Sequence, residues 1–571
     1  MDDHKCAIIN KFEEIKFDDG MILINHVAEY LRCDETFMKK IIESLSKNKN
    51  KYTYMICDHI RDNVELFFTI NKFDKKKRKH INKITFTDLL FQSVYNGNLN
   101  LLKHLLKKKI NINLKNKDGY TLLMIASQNS NATSSNEIVR FLLENGADIN
   151  AQTKHGNTAL MIASKYSNHT SSYETVKLLL DHDLNINLRN KKGDTALMHI
   201  SMNLNTPSSL ETMILLLENG ADPNLQNNNG CTPLMNISSP EACRILLNYE
   251  ADVNLVDNNG NSALILQSEF TTNPACIYKL ILLLENGSNI NLQNKYGYTA
   301  LMIASKYSNY RSSNETVKLL LDNGADPDLQ NSNGDTALLL SILFLRDFRN
   351  MSSIQTVELL LDYGADPDLQ NNKKETALIL SSIWLHDSKL IECVRLLLNK
   401  NADINLQDNK KETALTILSS KAYSLNLINT MKLLLEKNAD VNLENIYYVD
   451  ALSCAIISFL QRLDYISEME KIKLLLNYVS DVNVQDTYGN KALMLLIIYS
   501  NYHCSESTVM VAELLLENGA DTDIKNNKNQ TARDLAEEKR YEEDSIYEPI
   551  YNECPICYEY PIWLDRLISL L

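Results

Sequence analysis

A short signature, Thr-Ala-Leu or a close variant, returns along most of this chain, and its register constrains the fold more than any other feature. The threonine or its stand-in falls at Thr87, Thr121, Thr158, Thr195, Thr232, Ser262, Thr299, Thr336, Thr376, Thr413, Asp450, Lys491 and Thr531. From Thr121 to Thr232 each interval is 37 residues. A fixed period of this size means a stack of like units, none of which can bury its apolar face without neighbours. Residues Gly297 to Gln330, GYTALMIASKYSNYRSSNETVKLLLDNGADPDLQ, show what one unit contains. Two apolar helical stretches flank a polar insertion, and a Gly/Asn/Asp-rich segment leads into the next signature.

The unit has a local physical logic. The signature Thr is placed to cap the first helix by accepting a backbone N–H, and in Thr232-Pro233 the proline suits the first helical position. Gly146, Gly220, Gly287, Gly324, Gly364 and Gly519 sit where a left-handed residue closes the second helix. Capping-box spacing at Ser134…Glu137, Ser171…Glu174, Ser208…Glu211 and Ser312…Glu315 predicts starts for the second helices. The insertions, such as Tyr166 to Tyr173 and Tyr307 to Asn314, then become ordered loops that feed capped helices.

This grammar resembles the ankyrin repeat, seen here as Gly156-Asn157-Thr158-Ala159-Leu160 with Ala163, then Leu178-Leu179-Leu180, and most fully at Asn219-Gly220-Ala221-Asp222. The resemblance implies an all-α ankyrin-repeat solenoid of helix–loop–helix units with short β-hairpin-like fingers. Some positions depart from the pattern. Met124, Met161, Met235 and Met302 replace its histidine, which exchanges that residue's hydrogen bonds for apolar packing. Lys374 and Lys411 stand for the glycine before Thr, and Asp183, Glu250, Asn401, Asn438 and Val479 for the helix-closing glycine. A left-handed valine would cost about 1–2 kcal/mol, and Asp450 and Lys491 replace capping Thr, so residues 440–490 are expected to be the least regular.

Three segments are expected. Residues 1–83 lack the repeat and read as an N-terminal helical cap or a separate small domain. Residues 84–540 are an array of about twelve repeats with a terminal helix. Residues 541–571 are an acidic tail. Lys75 to His80 is the one concentrated basic run, either a nuclear-import or anionic-contact patch or a solvated linker. In the tail, Cys554-Pro555-Ile556-Cys557 resembles the opening of a RING finger. A structural zinc needs four ligands, so this pair is either a remnant or a site that a partner completes.

The chemistry points to binding rather than catalysis. No P-loop, nucleotide-binding glycine pattern, zinc helix or nucleophile elbow occurs, and His155, His199 and His503 stand alone. No metal or cofactor is expected. The formal net charge of −14 argues against nucleic acid as a general partner. Eleven scattered cysteines suit a reducing compartment, and no apolar run is long enough for a membrane. An intracellular, cytoplasmic protein is expected. By resemblance, a protein partner would meet the finger tips, namely Lys117, Asp118, Lys154, His155, Lys191, Lys192, Asn228, Asn229, Lys295 and Tyr296. Tyr166, Tyr307 and Tyr310 form a second candidate surface. The abundance of Asn, Lys, Ile and Tyr, with Ser/Asn-rich insertions, is similar to the ankyrin-repeat proteins of giant DNA viruses, which would make the partner a host protein. The alternative role is a ubiquitin-ligase adaptor or component, suggested by the Cys554–Cys557 pair.

Overall fold

In the computed structural model the described residues are 86–547 and 562–571, except 107–109, 131–135, 168–170, 205–206, 346–350, 385–387, 423, 448, 462–464, 480 and 501–504. The expected N-terminal cap, the Lys75–His80 run, Ser134, His503 and the Cys554–Cys557 pair lie outside them. The chain divides into two compact units, residues 1–258 and 259–571.

The first unit contains five helix pairs among its described residues: Phe86–Tyr95 with Leu99–Leu106, Leu122–Gln128 with Asn136–Glu144, Ala159–Tyr166 with Tyr173–Leu180, Ala196–Ser201 with Pro207–Glu218, and Pro233–Asn236 with Pro240–Asn248. The second contains seven: Ala263–Ser268 with Pro274–Glu285, Ala300–Tyr307 with Asn314–Asp322, Ala337–Leu345 with Ile354–Asp362, Ala377–Ile383 with Ser388–Asn399, Ala414–Ser419 with Leu425–Glu436, Ala451–Leu460 with Tyr465–Leu476, and Ala492–Tyr499 with Ser505–Glu517. Helices Ala532–Tyr547 and Ile562–Leu570 follow. The architecture is an all-α repeat solenoid. Within each unit, first helices pack on first helices and second on second. The core is the recurring Leu, Ile, Val and Ala: Leu160, Ala163, Val176 and Leu179 in one repeat, and Leu301, Ala304, Val317 and Leu320 in another, are all buried. Burying each leucine contributes about 1.5–3 kcal/mol.

Signature threonines cap as expected. Thr121 and Thr195 each accept the amide of the residue three ahead at 3.3 Å. The methionine in the histidine position does more than pack. Thr121 donates its own N–H to Met124 Sδ at 3.3 Å, and Thr158 donates to Met161 Sδ at 3.5 Å, which closes the cap reciprocally. Thr232 makes no cap bond, and its helix is only four residues long. Asp450 caps in its place with a carboxylate that accepts Ser453 N–H at 2.7 Å. Lys491 does not cap; its ammonium reaches Asn483 Oδ1 at 3.4 Å and also the carbonyl of Asp521.

The second-helix caps sit one residue later than the Ser…Glu spacing implies. Ser172 and Ser313 are the caps, accepting Thr175 and Thr316 amides at 3.1 and 3.2 Å, and Ser208 lies inside its helix. The reason is a further bond. The Thr175 hydroxyl donates to Ser130 Oγ at 2.6 Å, Thr316 to Thr271 Oγ1 at 2.6 Å and Thr356 to Ser308 Oγ at 2.6 Å, so each cap threonine also ties its insertion to the repeat before. Of the substituted helix closers, Glu250, Asn401 and Asn438 are left-handed, with φ of 63, 59 and 66°. Asp183 and Val479 do not follow. Branching at Val479 disfavours that conformation, and the Tyr478 and Val479 amides both close on Leu475 O instead, at 2.9 and 3.0 Å.

Two features absent from the expectations secure the second unit. Lys471 and Glu468 form a buried ion pair, Nζ to Oε2 2.5 Å, whose ammonium also donates to the Ser419 and Lys421 carbonyls at 3.1 and 2.6 Å. It thereby satisfies carbonyls at the end of the preceding repeat's first helix. The chain's last residues also fold back. Leu564 and Leu567 are buried, and Arg540–Asp565 and Arg566–Glu513 pairs of 2.8 and 3.0 Å hold Ile562–Leu570 against the two helices before it.

The two classes of glycine are held by different constraints. At Gly324 (φ 86°) an added Cβ meets nothing within 4 Å, whereas at Gly297 (φ 77°) it would lie 2.7 Å from Asn331 Cα in the next finger. Lys374 and Lys411 occupy the finger-glycine register with φ of 57 and 55°. We therefore expect Gly324→Ala to cost about 1–2 kcal/mol, Gly297→Ala clearly more, and Lys374→Gly to stabilise by about 1 kcal/mol. Urea melts of the three variants check this; equal losses at both glycines would remove the proposed role of finger contact.

Candidate partner-binding surface

The fingers are small turns built on one side chain. Asn116 Oδ1 accepts the N–H groups of Asp118 and Tyr120 at 3.0 and 2.9 Å, and Asn294 Oδ1 accepts those of Tyr296 and Tyr298 at 2.9 Å each. This Asx geometry lets a polar residue turn the chain locally. Each finger then joins the next through the backbone. In the first unit Lys154 N–H donates to Asp118 O, Lys191 to His155 O and Asn228 to Lys192 O, at 2.9–3.1 Å. In the second, Lys295 donates to Asn259 O, Ser332 to Tyr296 O and Asn372 to Asn333 O, each at 2.9 Å.

Two further ladders run beside this one. The amide of Gln330 donates both to Gly334 O within its own finger and to Gln370 O in the next repeat, at 2.9 Å each. Gln152, Gln226, Gln293, Gln370, Gln407 and Gln485 repeat the arrangement, and Arg189 substitutes for it with its guanidinium. Asn187 accepts Asp222 N–H at 3.0 Å and donates to Gly220 O at 3.2 Å, again across one repeat. The glutamine role was not read from the sequence. The signal was present as a Gln recurring at one register.

All ten candidate finger residues are exposed. Because backbone groups along the fingers are committed to the ladder, recognition there falls to side chains. Asn228 is partly committed as well, donating its amide to Lys191 O at 2.9 Å. Lys117 to Asn229 lie in the first unit and Lys295 and Tyr296 in the second. The tyrosines of the insertions have mixed positions. Tyr310 is exposed, while Tyr166 and Tyr307 are half-buried. Lys306 lies over the rings of Tyr298, Tyr307 and Phe344, with 5.7, 4.9 and 4.5 Å to the centroids. Arg311 stacks over Phe270 and Tyr310 and pairs with Glu269 at 2.6 Å.

Isolated titratable groups are in structural settings. His199 is mostly buried, which lowers its pKa, and its ring meets the Asn190 amide at 3.3 Å. Cys454 is a core residue whose thiol burial pushes up to about 12. Among the described residues, no group of three or more His, Cys, Asp or Glu is arranged to hold a metal, and no helix is long and apolar enough to cross a membrane.

The family model described as ankyrin repeats (3 copies) matches overlapping stretches at residues 61–153, 90–190, 131–227, 169–255, 197–271, 269–350 and 345–445, together more than half of the chain. The helix pairs after residue 445 continue the same pattern. No curated protein matches the chain.

Along the second unit the bridging asparagine becomes aspartate at Asp328 and Asp368. Their carboxylates still accept the Asp366 and Asp403 amides at 2.8 and 2.7 Å, but they cannot donate to the helix-closing carbonyl as Asn187 does. Burial raises both pKa values above the ordinary 3.8, and neighbouring carboxylates add to this. A raised folded-state pKa means that the native state binds the proton more tightly, so stability is lost as pH rises from about 4 towards neutrality. We expect D328N and D368N each to stabilise at pH 7 by roughly 0.5–1.5 kcal/mol, with the gain vanishing near pH 4. Thermal melts across that range check it, and a gain that is flat with pH would contradict the electrostatic account.

Proposed function

The chain belongs to the ankyrin-repeat family, and we propose on that footing that it is a non-enzymatic scaffold that binds a protein partner through the side chains of its finger tips. The observation that carries this reading is the division of labour within a finger. Backbone groups and the Asn and Gln amides hold neighbours together, while the residues at the tip differ from repeat to repeat: Lys117-Asp118, Lys154-His155, Lys191-Lys192, Lys295-Tyr296. A rigid frame that presents variable side chains at a fixed spacing meets the geometric needs of recognition at low entropic cost. The surface these tips present in the first unit is cationic on balance, although the whole chain carries −14, which favours a partner with an acidic face.

An intracellular setting fits the scattered cysteines, and a host-cell partner follows if the compositional resemblance to giant-virus proteins reflects the source. The ligase-adaptor alternative rests on Cys554 and Cys557 alone, and no interaction among the described residues favours it.

The test is co-purification from a plausible host cell. The tagged full chain is compared with a variant in which Lys117, Asp118, Lys154, His155, Lys191, Lys192, Lys295 and Tyr296 are all alanine. Asn228 and Asn229 stay, because the Asn228 amide is a rung of the ladder. Proteins recovered with the native chain should be lost or reduced at least tenfold with the variant, at unchanged helical content. Identical recovery by both would overturn the finger-tip assignment.

A further inference from the structure

Where the family match ends, at residue 445, the second unit holds a cavity of about 350 Å³ lined by two fingers, the first helices that follow them and Ser420 of the repeat before. Its rim is Tyr447 and Tyr488 on the fingers and Tyr499 at a helix end, 68, 72 and 53 % exposed. Ile457 and Ile498 line its wall, and among the described residues the lining contains one charged residue, Asp486. Tyr447 and Tyr488 occupy the same finger position as His155, Lys192 and Tyr296. Ile457 and Ile498 occupy the helix position filled by Lys165 and Lys306 in other repeats. Met202, Leu343 and Ile383 also make this helix position apolar, but in these two repeats it stands together with a tyrosine at the finger.

The fingers also stand differently here. Elsewhere a backbone N–H donates to the preceding tip carbonyl at 2.8–3.1 Å. Tyr447 O instead takes the Thr487 hydroxyl at 3.5 Å. The signature interval across the pair, Asp450 to Lys491, is 41 residues, the longest in the chain.

Asp486 decides what fits. Most fingers turn on an asparagine, whose Oδ1 takes two backbone N–H groups. Asp486 Oδ1 makes the same pair of bonds, to Tyr488 and Asn490 at 2.8 and 2.7 Å, so the turn does not require the charge. Its Oδ2 has a single long contact, 3.4 Å from Asn490 Nδ2. Glu444 stands close enough to feel both Asp450 and Asp486; burial chiefly, and then these carboxylates against Lys411, hold its carboxyl above the usual range. Exposed tyrosine faces beside an underused carboxylate, with no Lys or Arg in the lining among the described residues, form a receptor for a planar cation. Guanidinium stacks on aromatic rings and bonds carboxylates in a fork, and lysine can do neither as well.

Resting on the scaffold reading, we propose that this cavity is a docking site for an arginine side chain presented by an extended segment of a partner protein. Tyr447 and Tyr488 flank the guanidinium, Asp486 Oδ2 receives it, and Ile457 and Ile498 cover its aliphatic stem. The occupant is cationic, unlike the acidic face that suits the fingers of the first unit.

The test uses the full-length chain and an immobilised library of heptapeptides, random except for a central arginine, with matched libraries centred on citrulline, lysine or leucine. The selected arginine peptide is then titrated by fluorescence anisotropy against native protein, D486N, Y488A and, as control, Y478A, which is exposed but outside the cavity. Arginine should exceed citrulline at least tenfold. D486N and Y488A should weaken binding at least fivefold with melting unchanged, and Y478A should not. Equal binding of citrulline, a preference for leucine, or indifference to D486N overturns the proposal. If the peptides fail while cellular partners are still lost from the finger-tip variant, the scaffold reading stands and only the cavity falls. If the peptides bind as expected but the finger-tip variant keeps its partners, the reverse holds.

Discussion

The structure of each unit depends on a contact that recurs in most repeats: a glutamine amide that donates to the carbonyl of its own finger and to that of the next. Gln330 bonds Gly334 O and Gln370 O with one NH₂ group. The first bond shapes a finger and the second fixes the distance to its neighbour, so local conformation and stacking are specified together. A net amide hydrogen bond contributes about 0.5–1.5 kcal/mol, less than one buried leucine. Its value lies in register. Apolar helices can slide on one another at little cost, whereas a two-point clamp and a backbone rung permit one alignment. The finger glycines belong to the same constraint, because a Cβ at Gly297 would strike the backbone that the clamp draws in.

How legible this was depended on whether an interaction stays inside a repeat. First helices, their threonine caps and the left-handed closers are local, and the signature placed them. Interactions between repeats were harder to see. The Ser…Glu spacing points to Ser171 and Ser312, yet Ser172 and Ser313 cap, because Thr175 and Thr316 must face the hydroxyls of the preceding repeat. Adjacent serines make the two registers indistinguishable until the neighbour is present. Lys491 reads as a lost cap, but its ammonium bonds the Asp521 carbonyl, 30 residues further along the chain. Of the site, the exposed tips were legible as a column, and following that column past Tyr296 leads to Tyr447 and Tyr488.

The same interface explains where variation is tolerated. Replacing a bridging asparagine by aspartate at 328 and 368 keeps the acceptor and forfeits the donor, at a cost in mutual repulsion. At Asp486 the same exchange occurs in the turn rather than the bridge; turn asparagines such as Asn190, Asn294 and Asn526 donate their amide to a side chain of the preceding finger, but the residue at that position before Asp486 is Val449, which cannot accept it. A carboxylate there keeps both bonds of the turn, and Asp486 is among the residues that line the tyrosine-rimmed gap. Charge introduced on the bridge burdens folding, and charge introduced on the turn at Asp486 is what the proposed arginine site draws on. The fold separates these positions by only a few residues in sequence, so the functional weight of an Asn-to-Asp exchange in this chain is decided by which ladder the residue serves.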